Sequence, residues 1–124
     1  MNQLHYMADY ERARDRHSGT PERVSVRRGD LVMLYDPLEF YFGSRRISLS
    51  PLEGAILELL VTQGRASSRM LSELFEKEGG SVKSMDVHVH RIRRKFDSVG
   101  AIDPIETVRG WGLKLRITGE MRVA

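Results

Sequence analysis

Ser50-Pro51-Leu52-Glu53 divides this sequence into two regimes of hydrophobic spacing. A capping serine, a proline at the first helical position and a glutamate three residues after the cap together specify a helix start. Upstream of it, turn residues recur every six or seven positions, which leaves room only for short strands. Downstream, Leu52, Ile56, Leu59 and Leu60 recur at helical spacing up to Gly64, a candidate C-cap. A run of strands followed by a run of helices is the pattern of an α+β chain.

Val24–Val26, Leu31–Tyr35, Leu38–Phe42 and Arg45–Leu49 read as a four-stranded antiparallel meander, broken at Gly29-Asp30, Asp36-Pro37 and Gly43-Ser44. Tyr35, Phe40, Tyr41 and Phe42 supply β propensity. A second helix starts at Ser67 or Ser68, carries Met70, Leu71, Leu74 and Phe75 on one stripe, and stops at Gly79-Gly80. A third starts near Ser84. At ~100° per residue, Met85, Val89, Ile92 and Phe96 share one inward arc, while Val87, His90, Arg91 and Arg94 fall on the opposite face. Ile105–Arg109 and Leu113–Ile117, around Gly110-Trp111-Gly112, read as a β-hairpin. Residues 24–118 are thus the folded unit. Residues 1–23 are a polar tail, either mobile or a short helix over Leu4–Arg14, and residues 119–124 a C-terminal tail.

The 124 residues suffice for one domain with its own core, and the 40% hydrophobic content excludes a fully disordered chain. The absence of cysteine excludes disulfides, thiol catalysis and cysteine-ligated zinc. The longest apolar run, Ala55–Val61, is interrupted by Glu58, so no membrane span is expected. The N-terminus lacks the apolar core of a secretory signal, which makes the cytoplasm the default location.

The net charge of +3 is too small to argue from, but its distribution is uneven. Residues 1–49 carry +1, residues 50–80 carry −2 and residues 81–124 carry +4. The basic end is therefore the third helix and the hairpin. A charged helix face is usually solvated surface, but here the helix precedes a basic hairpin. An α-helix fits the major groove, where Arg91 could donate to guanine and Val87 meet a thymine methyl. Lys83 and Ser84 stand at a helix N-terminus, where free N–H groups favour phosphate. Thr107, Arg109, Lys114 and Arg116 could follow the backbone or a minor groove.

Other constellations carry less. On a helix His88 and His90 lie about 160° apart, which does not suit one metal ion. No paired carboxylates and no serine–histidine–acid set have a supporting context, so neither an enzyme nor a bound cofactor is expected. Asp86 reads as a local partner for an arginine. Trp111 either stacks on a partner or packs on the sheet. Gly79-Gly80 is a turn, not a phosphate loop.

Four segments, taken in order, resemble the winged-helix DNA-binding domain of OmpR/PhoB-type response regulators. They are Leu49–Glu53; Met85–Val89 with Arg91–Phe96; Ile105–Gly110; and Gly112-Leu113. The resemblance implies that residues 84–96 are a recognition helix and residues 105–117 the wing. It places Val87 and Arg91 at bases, and Lys83, Ser84, His88, His90 and Arg93 near phosphates. Thr107 falls at a wing contact to the backbone and Arg109 at the minor groove, while Arg94 joins the set from the helical wheel. The partner implied is double-stranded DNA, with RNA polymerase meeting the loop 77–83 and a second copy of the chain on tandem sites.

The sequence departs from the family pattern in three places. The first 23 residues cannot supply the family's receiver domain, so a stand-alone transcription regulator without phosphotransfer is expected, in the nucleoid of a bacterial cytoplasm. Leu113 stands where an aromatic residue is usual, and residues 64–69 are short before the second helix. The alternative from another class is a protein-interaction adaptor that uses the same scaffold to touch polymerase or another regulator.

Overall fold

A computed structural model describes residues 23–117 and 119–124. The expectation for the N-terminal tail lies outside the described residues, apart from Arg23. The meander forms as β1 (Ser25–Arg28), β2 (Leu31–Leu34), β3 (Glu39–Phe42) and β4 (Arg45–Ile47), each antiparallel to the next. Alternation sends Val26, Leu31, Met33, Phe40 and Ile47 to one buried face.

The helices have the expected ends. In α1 (Pro51–Gln63) the Glu53 amide donates to Ser50 Oγ at 3.3 Å, and the Ser50 amide donates to Glu53 Oε1 at 3.0 Å, closing a capping box. Gly64 ends the helix with its amide on the Leu60 carbonyl. α2 (Ser68–Glu78) is capped by the Ser67 hydroxyl and ended by Gly79 at φ +86°. A 3-10 turn over Val82–Ser84 leads into α3 (Met85–Ser98).

Two elements differ from the sequence reading. Residues 119–124 are not a tail: β8 (Arg122–Val123) pairs with β1, so the sheet has five strands in the order β4-β3-β2-β1-β8 rather than four. A strand of two residues shows no periodicity. Its anchors are remote in sequence: the Ser25 and Ala124 amides each donate to the other's carbonyl, and Arg28 donates to the Val61 and Gly119 carbonyls. Burial of Arg28 pulls its pKa below the ordinary guanidinium value. The short segment before α2 forms β5 (Arg65–Ser67). It pairs with the hairpin β6 (Ile105–Val108) and β7 (Gly112–Leu115) in a second sheet, ordered β5-β7-β6.

One core joins the layers. Ile56, Leu57, Leu60 and Val61 of α1 are fully buried, as are Leu71 of α2, Ile92 and Phe96 of α3, and Ile105 and Leu113 of the hairpin. Phe42 of the sheet meets Phe96 edge-on at 6.4 Å between ring centroids. No helix among the described residues is long and apolar enough to cross a membrane.

A half-buried ion pair fixes α3 against α1. The Glu53 side chain is 2% exposed and accepts from Lys95 Nζ at 2.5 Å. Burial pushes its pKa up, but the hydrogen bond from Lys95 and those with Ser50 outweigh burial and hold it below the ordinary carboxylate value. Because the folded pKa lies below the unfolded one, the pair's stabilisation is present above about pH 4.3. It is lost as pH falls through the lower folded value. Urea midpoints at pH 7 and pH 3.5 test this. The wild type loses more between those pH values than Glu53→Gln does, and equal losses would rule the linkage out.

Candidate nucleic-acid interface

Helical periodicity turns Val89, Ile92 and Phe96 of α3 inward, all three buried. Val87, His90, Arg91 and Arg94 come to the solvent face as expected. Val87 is 47% exposed, an apolar side chain with no packing role that would explain it. His90, Arg91 and Arg94 make no side-chain hydrogen bond or ion pair among the described residues, so the face consists of uncommitted donors around one apolar patch.

At the N-terminus of α3, Lys83 is exposed and Ser84 half-buried. The Ser84 hydroxyl donates back to the Ser81 carbonyl at 2.6 Å, so it does not cap α3. The first amides of α3 therefore carry no side-chain cap, the condition under which a helix start favours an anion.

Two residues expected near phosphates are engaged inside the protein. His88 packs its ring 6.0 Å from Phe75 of α2, and its Nδ1 is buried without a hydrogen-bond partner. Arg93 forms an ion pair with Asp103 at 3.0 Å and donates to the Ile105 carbonyl at 2.8 Å and to Thr107 Oγ1 at 3.4 Å. Arg116 donates to the same Ile105 carbonyl at 3.1 Å and lies 3.8 Å from Asp103. Arg93, Asp103 and Arg116 thus tie the third turn of α3 to the root of the hairpin and fix the angle between them. Sequence reasoning did not assign Asp103. Its signal is the Asp-Pro pair before a strand, and Asp103 accepts from the Ile105 amide in the manner of an Asx-turn.

Strand alternation divides the wing. Ile105, Thr107, Leu113 and Leu115 share the face toward the helices, and Thr107 is exposed beside Arg93. Arg109 is exposed at the hairpin turn, next to Gly110 at φ +75°. Lys114 faces away, paired in register with Glu106 and Arg65. Leu113 is fully buried, so its side chain has no access to a backbone phosphate. Trp111 is 38% exposed, with Arg65 stacked 5.4 Å from its ring centre; its carbonyl accepts from the Ser68 amide and hydroxyl. Trp111 is therefore held on the β5 side of the wing.

Asp86 is exposed and has no ion-pair partner among the described residues, contrary to the sequence reading. No group of three metal-ligating side chains occurs among them, and His88 and His90 point to different surroundings.

The sequence family described as "Transcriptional regulatory protein, C terminal" matches residues 44–115, more than half of the chain. The response regulator MprA of Mycobacterium tuberculosis is 38% identical over 103 residues, covering 78% of this chain and 44% of MprA. The transcriptional regulatory protein CseB of Streptomyces coelicolor is 37% identical over 92 residues, covering 71% and 38%. The chain thus spans less than half the length of these relatives. Three solved structures share the fold. The AdeR DNA-binding domain in complex with an intercistronic region has a TM-score of 0.60 at 20% identity, covering 69% of this chain and 93% of that one. The Klebsiella pneumoniae RstA DNA-binding domain in complex with the RstA box has a TM-score of 0.58 at 23% identity, covering 73% and 95%. The C-terminal domain of the nisin resistance regulator NsrR has a TM-score of 0.57 at 26% identity, covering 70% and 92%. An antiparallel sheet, three helices and a C-terminal hairpin, matched by this family over most of the helices and wing, mean that the chain belongs to the OmpR/PhoB-type winged-helix domains of transcriptional regulators, a DNA-binding and non-enzymatic family.

Proposed function

We propose that this chain is a sequence-specific double-stranded DNA-binding transcription regulator. Residues 84–96 enter the major groove and the wing, residues 105–117, lies on the adjacent backbone or minor groove. One observation carries this reading: Val87, His90, Arg91 and Arg94 form an exposed, internally uncommitted face on α3, a helix whose Arg93 holds Thr107 of the wing at 3.4 Å. AdeR and RstA, which share the fold, were solved with DNA.

Arg91 reads a guanine through two hydrogen bonds, and Val87, one turn before it, meets a thymine methyl. Lys83, His90 and Arg94 hold phosphates, Thr107 and Lys114 follow the backbone, and Arg109 enters the minor groove between its phosphates, while Ser84, whose amide and hydroxyl both donate to the Ser81 carbonyl, shapes the start of α3. His88 and Arg93 act on DNA indirectly, by seating α3 on α2 and the wing on α3. The same reading extends to two copies on tandem sites and to polymerase at the glycine-rich loop 77–83.

Selection from a random duplex library tests the proposal. An enriched motif is expected. Arg91→Ala lowers affinity for it by about 1–3 kcal/mol and relaxes the preference at one base pair. Failure to enrich any motif would favour the adaptor reading.

A further inference from the structure

The five-stranded sheet buries one face on the helices and leaves the other uncovered by any described residue. Register brings five residues into one row across that outer face. Arg122 stands opposite Arg27, Arg27 opposite Val32, Val32 opposite Tyr41, and Tyr41 opposite Arg46. With strands ~4.8 Å apart the row runs about 19 Å. The row beside it holds Ser25, Leu34 and Glu39.

The charge on this face is one-sided. Glu39 is already engaged by Arg23 at 2.5 Å and Arg46 at 3.2 Å. Arg27 and Arg122 are both exposed, face each other directly, and make no ion pair among the described residues. Together with Gly29, Gly119 and Glu120 they line a cleft of about 300 Å³. Like charges directly opposed across two strands are destabilising. Their arrangement fits a surface whose acids come from elsewhere. Between the arginines, Val32, Leu34 and Tyr41 are only half-buried.

We infer that this face is a docking surface for an acidic polypeptide that presents apolar side chains between its carboxylates. Arg27 with Arg122 binds the carboxylates at one end, and Val32, Leu34 and Tyr41 take the apolar side chains beside them. The chemistry of this apolar part decides against nucleic acid. A phosphate backbone offers nothing to Val32 and Leu34, and a single tyrosine is a poor stacking platform for a strand of bases. The surface lies across the molecule from the exposed face of α3. Phe42 on the sheet's inner face packs on Phe96 of α3's inner stripe, and Val87 and Arg91 point away from that stripe. Both faces are therefore accessible at once.

The test uses the full chain and a labelled helical peptide carrying two leucines at i and i+4 flanked by four glutamates. Expected are saturable binding and amide shifts in β1, β2, β3 and β8, with none in the exposed turns of α3. Replacing both leucines by serine weakens binding at least ten-fold, and so does R27E/R122E, whose binding to the selected duplex and thermal midpoint stay unchanged. Should the charge reversal disturb folding, R27Q/R122Q supplies the same comparison with a smaller loss. Shifts at α3, indifference to the serine replacement, or tighter binding of a single-stranded oligonucleotide to the same rows would overturn the inference. Self-association of the chain abolished by R27E/R122E would also overturn it, by assigning the face to a second copy.

Discussion

Raising monovalent salt from 50 to 200 mM should weaken binding to the selected duplex about 150-fold, for four neutralised phosphates and a slope near −3.6 in log K against log salt. The number four comes from the cations that the fold leaves free at the start of α3, on α3 and on the wing, apart from Arg91, which is assigned to a base. Lys83, Arg94, Arg109 and Lys114 are exposed and make no ion pair among the described residues. Arg93, Lys95 and Arg116 are committed to Asp103 or Glu53. Replacing any one of the first four by alanine should reduce the slope by about one, while Arg93→Met should barely change it. A salt titration of each variant by fluorescence anisotropy reads both. A flat response in the wild type would remove the DNA-binding reading and leave the adaptor. An Arg93 variant with a slope as reduced as that of Arg94 would show that its ion pair opens on DNA.

That distinction could not be drawn from the sequence. Charge by position located the basic end but could not separate free cations from paired ones, because the acid that engages Arg93 lies ten residues away across a turn. The buried partner of Lys95 is more distant still, 42 residues back in α1. The stripe of α3 was legible because periodicity is a local property: Val89, Ile92 and Phe96 repeat at the helical interval, and the face opposite follows from the same angles. His88 shows the same rule applied too little. On the wheel it falls about 60° from Met85, on the core side, and its packing on Phe75 agrees with the wheel rather than with a phosphate contact. Capping was legible for a like reason, since Ser50, Pro51 and Glu53 act within one turn. β5 and β8 were not. Strands of three and two residues exist only through the partners that β7 and β1 offer them.

Gly112→Ala is expected to be the most damaging single-methyl change in the wing. A Cβ at Gly112 would lie 2.1 Å from the Ala66 carbonyl oxygen and 2.9 Å from Ser67 Cα, both backbone atoms of β5 with no rotamer to yield. Its φ of +156° adds strain for any residue with a side chain. Relief requires β5 to move off β7, and β5 leads directly into the Ser67 cap of α2 and the Ser68 bonds to Trp111. The loss should be about 3 kcal/mol or more, lowering the thermal midpoint by about 10–20 °C. Gly110→Ala is the matched control two residues away. Gly110 also has a positive φ, +75°, but a Cβ there meets nothing within 4 Å. It should cost only the left-handed strain, about 1 kcal/mol. Thermal unfolding of the two variants separates the causes. Equal losses would mean that backbone conformation alone requires glycine in this turn, and that the closeness of β5 to β7 does not.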